Sequence, residues 1–77
     1  MSIAERAKEL YDREWRGTLE VEHRDEYVAI EPESKSYFLD ESFVSAALLA
    51  RQAFPQRKTF VLRIGHDAAF HLGASST

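Results

Sequence analysis

Seventy-seven residues, 44 % of them apolar, with a net charge of −3 and no cysteine, describe one small domain with material for a core. The missing cysteines exclude disulfide staples and every thiolate zinc site. No apolar run nears the ~20 residues of a bilayer-spanning helix, and the start lacks a signal peptide's apolar segment, so a cytoplasmic protein is expected.

The chain opens on a helix. Ser2-Ile3-Ala4-Glu5 fits a capping box, in which serine and glutamate each satisfy an orphan backbone amide. Ile3, Ala7, Leu10, Tyr11 and Trp15 follow at spacings of three and four and share a face, while charged residues take the rest. Gly17 is the expected end, with an irregular turn through Leu19 and Val21 as the alternative; Glu20 to Glu26 reads as a polar connection. Tyr27-Val28-Ala29-Ile30 and Tyr37-Phe38-Leu39 then form the arms of a hairpin around the turn chemistry of residues 31–35.

Asp40 is placed to cap a second helix over residues 41–54, with a stripe of Phe43, Ala47, Ala50 and Phe54 widened by Val44 and Leu48 and closed by Pro55. Thr59 to Ile64 is the strongest strand, with Phe60, Leu62 and Ile64 on one face and Val61 and Arg63 on the other. Gly65-His66-Asp67 turns the chain, Ala68 to Leu72 returns as a short last strand, and residues 72–77 read as a fraying tail. The expected fold class is therefore α+β, one domain over residues 1–77. It comprises an N-terminal helix, a β-hairpin, a helix and one or two further strands. The sheet is small and antiparallel, with the third strand beside the first and both helices on one face.

Charge is lopsided. Residues 1–41 hold twelve of the thirteen acids, and from Ser42 onward Asp67 alone stands against Arg51, Arg57, Lys58 and Arg63. If the sheet face opposite Phe60, Leu62 and Ile64 is open, Arg57, Lys58, Arg63, His66 and His71 form a mildly basic surface for an acidic partner. The alternative is that these charges only keep the chain hydrated.

The stretch Arg63-Ile64-Gly65-His66-Asp67-Ala68-Ala69-Phe70-His71 poses a chemical question. His66 and His71 are five apart, so in one strand their rings point to opposite faces, and converging with His23 requires His66 to sit in the turn. A zinc site needs three or four convergent ligands. An Asp67–His66 dyad has no nucleophile motif beside it. The acids Glu20, Glu22, Asp25 and Glu26 lack the spacing and central glycine of a calcium loop. Three glycines, at 17, 65 and 73, make no phosphate loop. No catalytic residue, cofactor site or metal ligand is assigned.

Several segments together resemble a family of small uncharacterised bacterial proteins. They are Val21-Glu22-His23-Arg24, Tyr27-Val28-Ala29-Ile30-Glu31, Ser34-Lys35-Ser36-Tyr37 and the close Arg63-Ile64-Gly65 … Ala68-Ala69-Phe70-His71-Leu72-Gly73. The family's closing motif is of the type RIGxxAAYRLG, and its members are often encoded beside retropepsin-like aspartic proteases. The chain departs from that pattern in two places. Lys35 stands where the hairpin glycine would be, and His71 where an arginine would be. A weaker likeness, of element order alone, is to HicB-type antitoxins. The resemblance implies a protein partner encoded nearby and carries no catalytic residues.

The functional expectation is a non-enzymatic protein-interaction module. A core this small supplies only ~3–5 kcal/mol, so a homodimer is the expected supplement. The alternative is an antitoxin-like or nucleic-acid-binding accessory using the basic C-terminal half, although neither the net charge nor the density of bases is that of a strong nucleic-acid binder.

Overall fold

The computed structural model describes residues 2–66 and 69–70. Helix α1 spans Ile3–Leu10, continues through a π-helical turn at Tyr11–Trp15, and resumes as α2 at Arg16–Glu22. Strands β1 (Tyr27–Glu31) and β2 (Ser36–Asp40) form the hairpin, α3 (Phe43–Ala53) follows, and β3 (Phe60–Arg63) and β4 (Ala69–Phe70) complete the sheet. Strand order is β2-β1-β3-β4, with every neighbouring pair antiparallel. The α+β class, the order of elements and the place of the third strand beside the first are those expected from the sequence.

The first helix does not stop at Gly17. Ser2 closes the expected capping box with Glu5, the hydroxyl accepting from the Glu5 amide at 3.1 Å and the carboxylate from the Ser2 amide at 2.9 Å. The helix then runs to Glu22, because a π turn corrects its phase. At about 100° per residue, an uninterrupted α-helix would carry Leu19 roughly 120° away from Ala7. The Arg16 amide donates to the Tyr11 carbonyl, five residues back, which absorbs one residue. Leu19 thereby returns to the buried face beside Ala7, Leu10 and Tyr11. The connection to β1 shortens to His23–Glu26.

The two helices lie on opposite faces of the sheet, which corrects the expectation of a single covered face. Val28 and Ile30 of β1, with Phe60, Leu62 and Ile64, join Ala7, Leu10, Tyr11 and Leu19 in one core. Ala29 and Val61, which alternate with them, join Ala46 and Ala50 of α3 in a second core edged by Tyr27, Phe38, Phe43 and Ala47. Successive strand residues point to opposite sides, so β1 is buried on both. The second core is built of small side chains. Ala29, Val61, Ala46 and Ala50 are each fully buried, which lets α3 settle close to the sheet.

Two details of α3 also differ from the sequence reading. Ser42 is the N-cap, its hydroxyl accepting from the Ser45 amide at 3.2 Å, while Asp40 accepts from the Ser42 amide at 3.0 Å. Ala46, not Val44 or Leu48, completes the buried stripe. Val44 is 62 % and Leu48 51 % exposed.

Candidate functional site

The corner that holds the histidines forms where the connection after α2 crosses the turn after β3. Asp25 donates its amide to the Ile64 carbonyl at 2.9 Å, and Ile64 donates to the Glu26 carbonyl at 2.8 Å, which extends the β1–β3 ladder past Tyr27. Asp25 sits in the left-handed region at φ 75°, and Gly65 at φ 85°. The Arg24 side chain lies across Gly65 so tightly that a Cβ there would come within 2.9 Å of Nη1. Glycine is therefore favoured at 65 by its left-handed conformation, and any larger residue would also have to displace the Arg24 side chain.

Each described imidazole at this corner has its own carboxylate. His66 Nε2 lies 2.7 Å from Asp25 Oδ1, and His23 Nδ1 lies 3.1 Å from Glu26 Oε2. The His66 hydrogen bond holds the Asp25 carboxyl below its ordinary value, against an opposing push from desolvation. Arg63 donates through Nε to the Asp25 carbonyl at 3.2 Å, and its guanidinium lies 5.5 Å over the Tyr27 ring. Among the described residues, no group of three or more His, Asp or Glu side chains could hold a metal ion. Asp67 and His71 lie outside the described residues.

Among the described residues the expected basic surface is not assembled. The face assigned to it is covered by α3, and Arg57, Arg63 and His66 are each engaged by a separate partner. Arg57 donates to Glu31 Oε1 at 3.0 Å, approaches Glu33 at 4.0 Å and lies 5.5 Å over the Phe54 ring. Among the described residues Glu31 is the one charged side chain that is buried, at 1 % exposure. Its carboxylate also accepts from the amides of Glu33 (3.0 Å) and Ser34 (2.9 Å), which ties the hairpin turn. Burial pushes this carboxyl up, but the bonds from Ser34, Glu33 and Arg57 outweigh burial and hold it down at about 2. Lys58 is exposed on the loop beyond Arg57. Arg57 and Arg63 thus serve the fold, at opposite ends of β1.

Tyr11 is no nucleophile. It is 3 % exposed and donates to Glu20 at 3.3 Å. Burial, then the Glu20 charge, push its hydroxyl up to about 12, while a bond from the Gly65 backbone acts the other way. The hollow of about 550 Å³ along α1 is open to solvent and lined by Glu5, Lys8, Glu9, Asp12 and Arg13, all of the first helix and its π turn.

The surface that sequence reasoning missed is the outer side of β2. This strand ends the sheet, and among the described residues nothing pairs with its free edge. Its register with β1 runs unbroken over five pairs, from Glu31–Ser36 to Tyr27–Asp40, without a bulge or a proline. Tyr37, 39 % exposed, meets the half-buried Trp15 at 4.7 Å between ring centres, tilted 60°. On the other face Phe38 packs edge-on to Phe54 at 6.2 Å. Exposed charges of opposite sign flank the strand, Lys35 before it and Glu41 after it. The only signal in the sequence was the order of elements, because which strand lies outermost depends on where the third one docks.

No family model matches the chain, and neither does any curated protein or solved structure.

Proposed function

We propose that the protein is a non-enzymatic interaction module that acts as a homodimer and binds a protein encoded nearby. The observation that carries this reading is the open edge of β2, bordered by Trp15 and Tyr37. Native edge strands are ordinarily blunted by bulges, prolines or charges, and β2 has neither a bulge nor a proline within Ser36–Asp40, its one charge being Asp40 at the very end. The described titratable groups support a binding role. Tyr11 is held protonated, Glu31 is locked in a turn, and each histidine of the corner is paired with one carboxylate. The resemblance to proteins encoded beside retropepsin-like proteases supplies the class of partner.

The nucleic-acid alternative loses two of its bases, since Arg57 is engaged by Glu31 and Arg63 by Tyr27 and the Asp25 carbonyl. Sedimentation velocity on the purified chain, followed by calorimetric titration with the protein of the neighbouring gene, tests both halves of the proposal. A dimer that binds this protein is the expected result. A monomer without affinity for it, retained on heparin in a salt-dependent manner, would favour nucleic acid instead.

A further inference from the structure

We infer that β2 is the homodimer seam. Two copies pair β2 with β2 antiparallel about a two-fold axis at Phe38, giving one continuous eight-stranded sheet. This rests on the homodimer reading above and specifies where the subunits meet.

An antiparallel pair centred on Phe38 sets Tyr37 opposite Leu39 of the second copy, Ser36 opposite Asp40, and Lys35 opposite Glu41. Residues directly opposite share a sheet face. Tyr37 and Leu39 both belong to the face that carries α1, opposite Ile30 and Val28 of β1. Phe38 belongs to the face that carries α3. The axis therefore joins like face to like face, so both helical layers continue across the seam.

The chemistry of each pair is complementary. A hydroxyl faces a carboxylate at Ser36–Asp40, an aromatic ring faces a branched aliphatic side chain at Tyr37–Leu39, and a cation faces an anion at Lys35–Glu41. By symmetry each of these three pairs occurs twice, once on either side of the axis, and only Phe38 meets its own copy. A shift by one residue in either direction loses the cation–anion match at the ends. It would also set side chains of opposite faces against each other. A parallel arrangement would stack Lys35 on Lys35 and Glu41 on Glu41. The isologous antiparallel pair is the arrangement in which charge, face and hydrogen-bonding direction agree.

Lys35 and Glu41 are both exposed, so they can be exchanged without touching either core. Lys35→Glu or Glu41→Lys alone sets like charges together at both ends, and each is expected to weaken dimerisation about tenfold by sedimentation equilibrium. The double exchange K35E/E41K restores the match and should return the dissociation constant to within about twofold of the parent. Circular dichroism of each variant checks that the monomer is folded.

A second measurement uses the absence of native cysteine. In the double variant K35C/E41C a short bismaleimide should trap a covalent dimer. Either single variant should not be trapped, because symmetry-related copies of one position lie about 20 Å apart at ~3.3 Å per residue. A dimer that is insensitive to the charge exchanges and is not trapped would overturn the seam and leave the homodimer standing. A chain that stays monomeric at all concentrations would overturn both.

Discussion

The Arg57 guanidinium reaches 3.0 Å to the carboxylate of Glu31, a residue that is 1 % exposed and lies 26 positions earlier in the chain. This contact ties the loop after α3 to the hairpin turn and gives the hairpin end of the sheet an acid-sensitive lock. The Glu31 carboxyl is depressed from 4.5 to about 2 in the folded protein. A depressed carboxylate contributes its full stabilisation above its unfolded value and loses it as pH falls toward the folded value. Unfolding free energy should therefore fall between about pH 4.5 and pH 2, by about 2–3 kcal/mol from this group. Glu31→Gln should lower stability at pH 7 by a similar amount and flatten that part of the acid limb. Urea titrations at stepped pH would show it, and an unchanged acid limb in the Gln variant would refute the assignment.

Lys35 occupies a left-handed position, at φ 58°. A non-glycine residue there costs roughly 1–2 kcal/mol, partly offset on replacement by the extra freedom glycine gives the unfolded chain. Lys35→Gly should raise stability by about 0.5–1 kcal/mol, even though the 4.0 Å approach to Glu14 is lost, because so long an exposed pair is worth little. Chemical denaturation measures the difference. By the seam argument the same variant should dimerise more weakly, so its stability is to be measured at concentrations where the protein is monomeric.

Two glycines should respond in opposite directions. At Gly17, inside α2, a Cβ would meet nothing within 4 Å, so Gly17→Ala should stabilise by about 0.5–1 kcal/mol through helix propensity. At Gly65, φ is 85° and a Cβ would press on Arg24, so Gly65→Ala should destabilise by about 1–3 kcal/mol. Thermal melts of the two variants, run in parallel, should shift to either side of the parent.

The α3 face is packed closely on small side chains. Ala29→Leu or Ala46→Leu would force α3 away from the sheet and should cost about 1–3 kcal/mol. Leu48→Ser, on the exposed flank of the same helix, should change stability by less than about 0.5 kcal/mol. If the Ala29 and Ala46 variants were as stable as the parent, α3 would not lie against Ala29.

Local chemistry wrote much of this protein into its sequence. Ser2 and Glu5 announce the first helix, Pro55 lies just beyond the end of α3, and the β-branched and aromatic runs mark the strands, because caps and backbone preferences act over three or four residues. Tyr11 and Trp15 were legible as members of the apolar stripe for the same reason. The two covered faces also left a trace. Tyr27-Val28-Ala29-Ile30 and Phe60-Val61-Leu62 are unbroken apolar runs, the pattern of strands buried on both sides, whereas alternation would mark one wet face.

Other features were decided only when the chain closed. The π turn at Tyr11–Trp15 exists to keep Leu19 in phase with a sheet that lies beyond it in the sequence. Arg57 and Arg63 resemble surface charges until the hairpin brings Glu31 and Tyr27 beneath them. Each of these depends on residues far apart in the chain meeting at one place, and side-chain spacing along one element carries no record of what will pack against it.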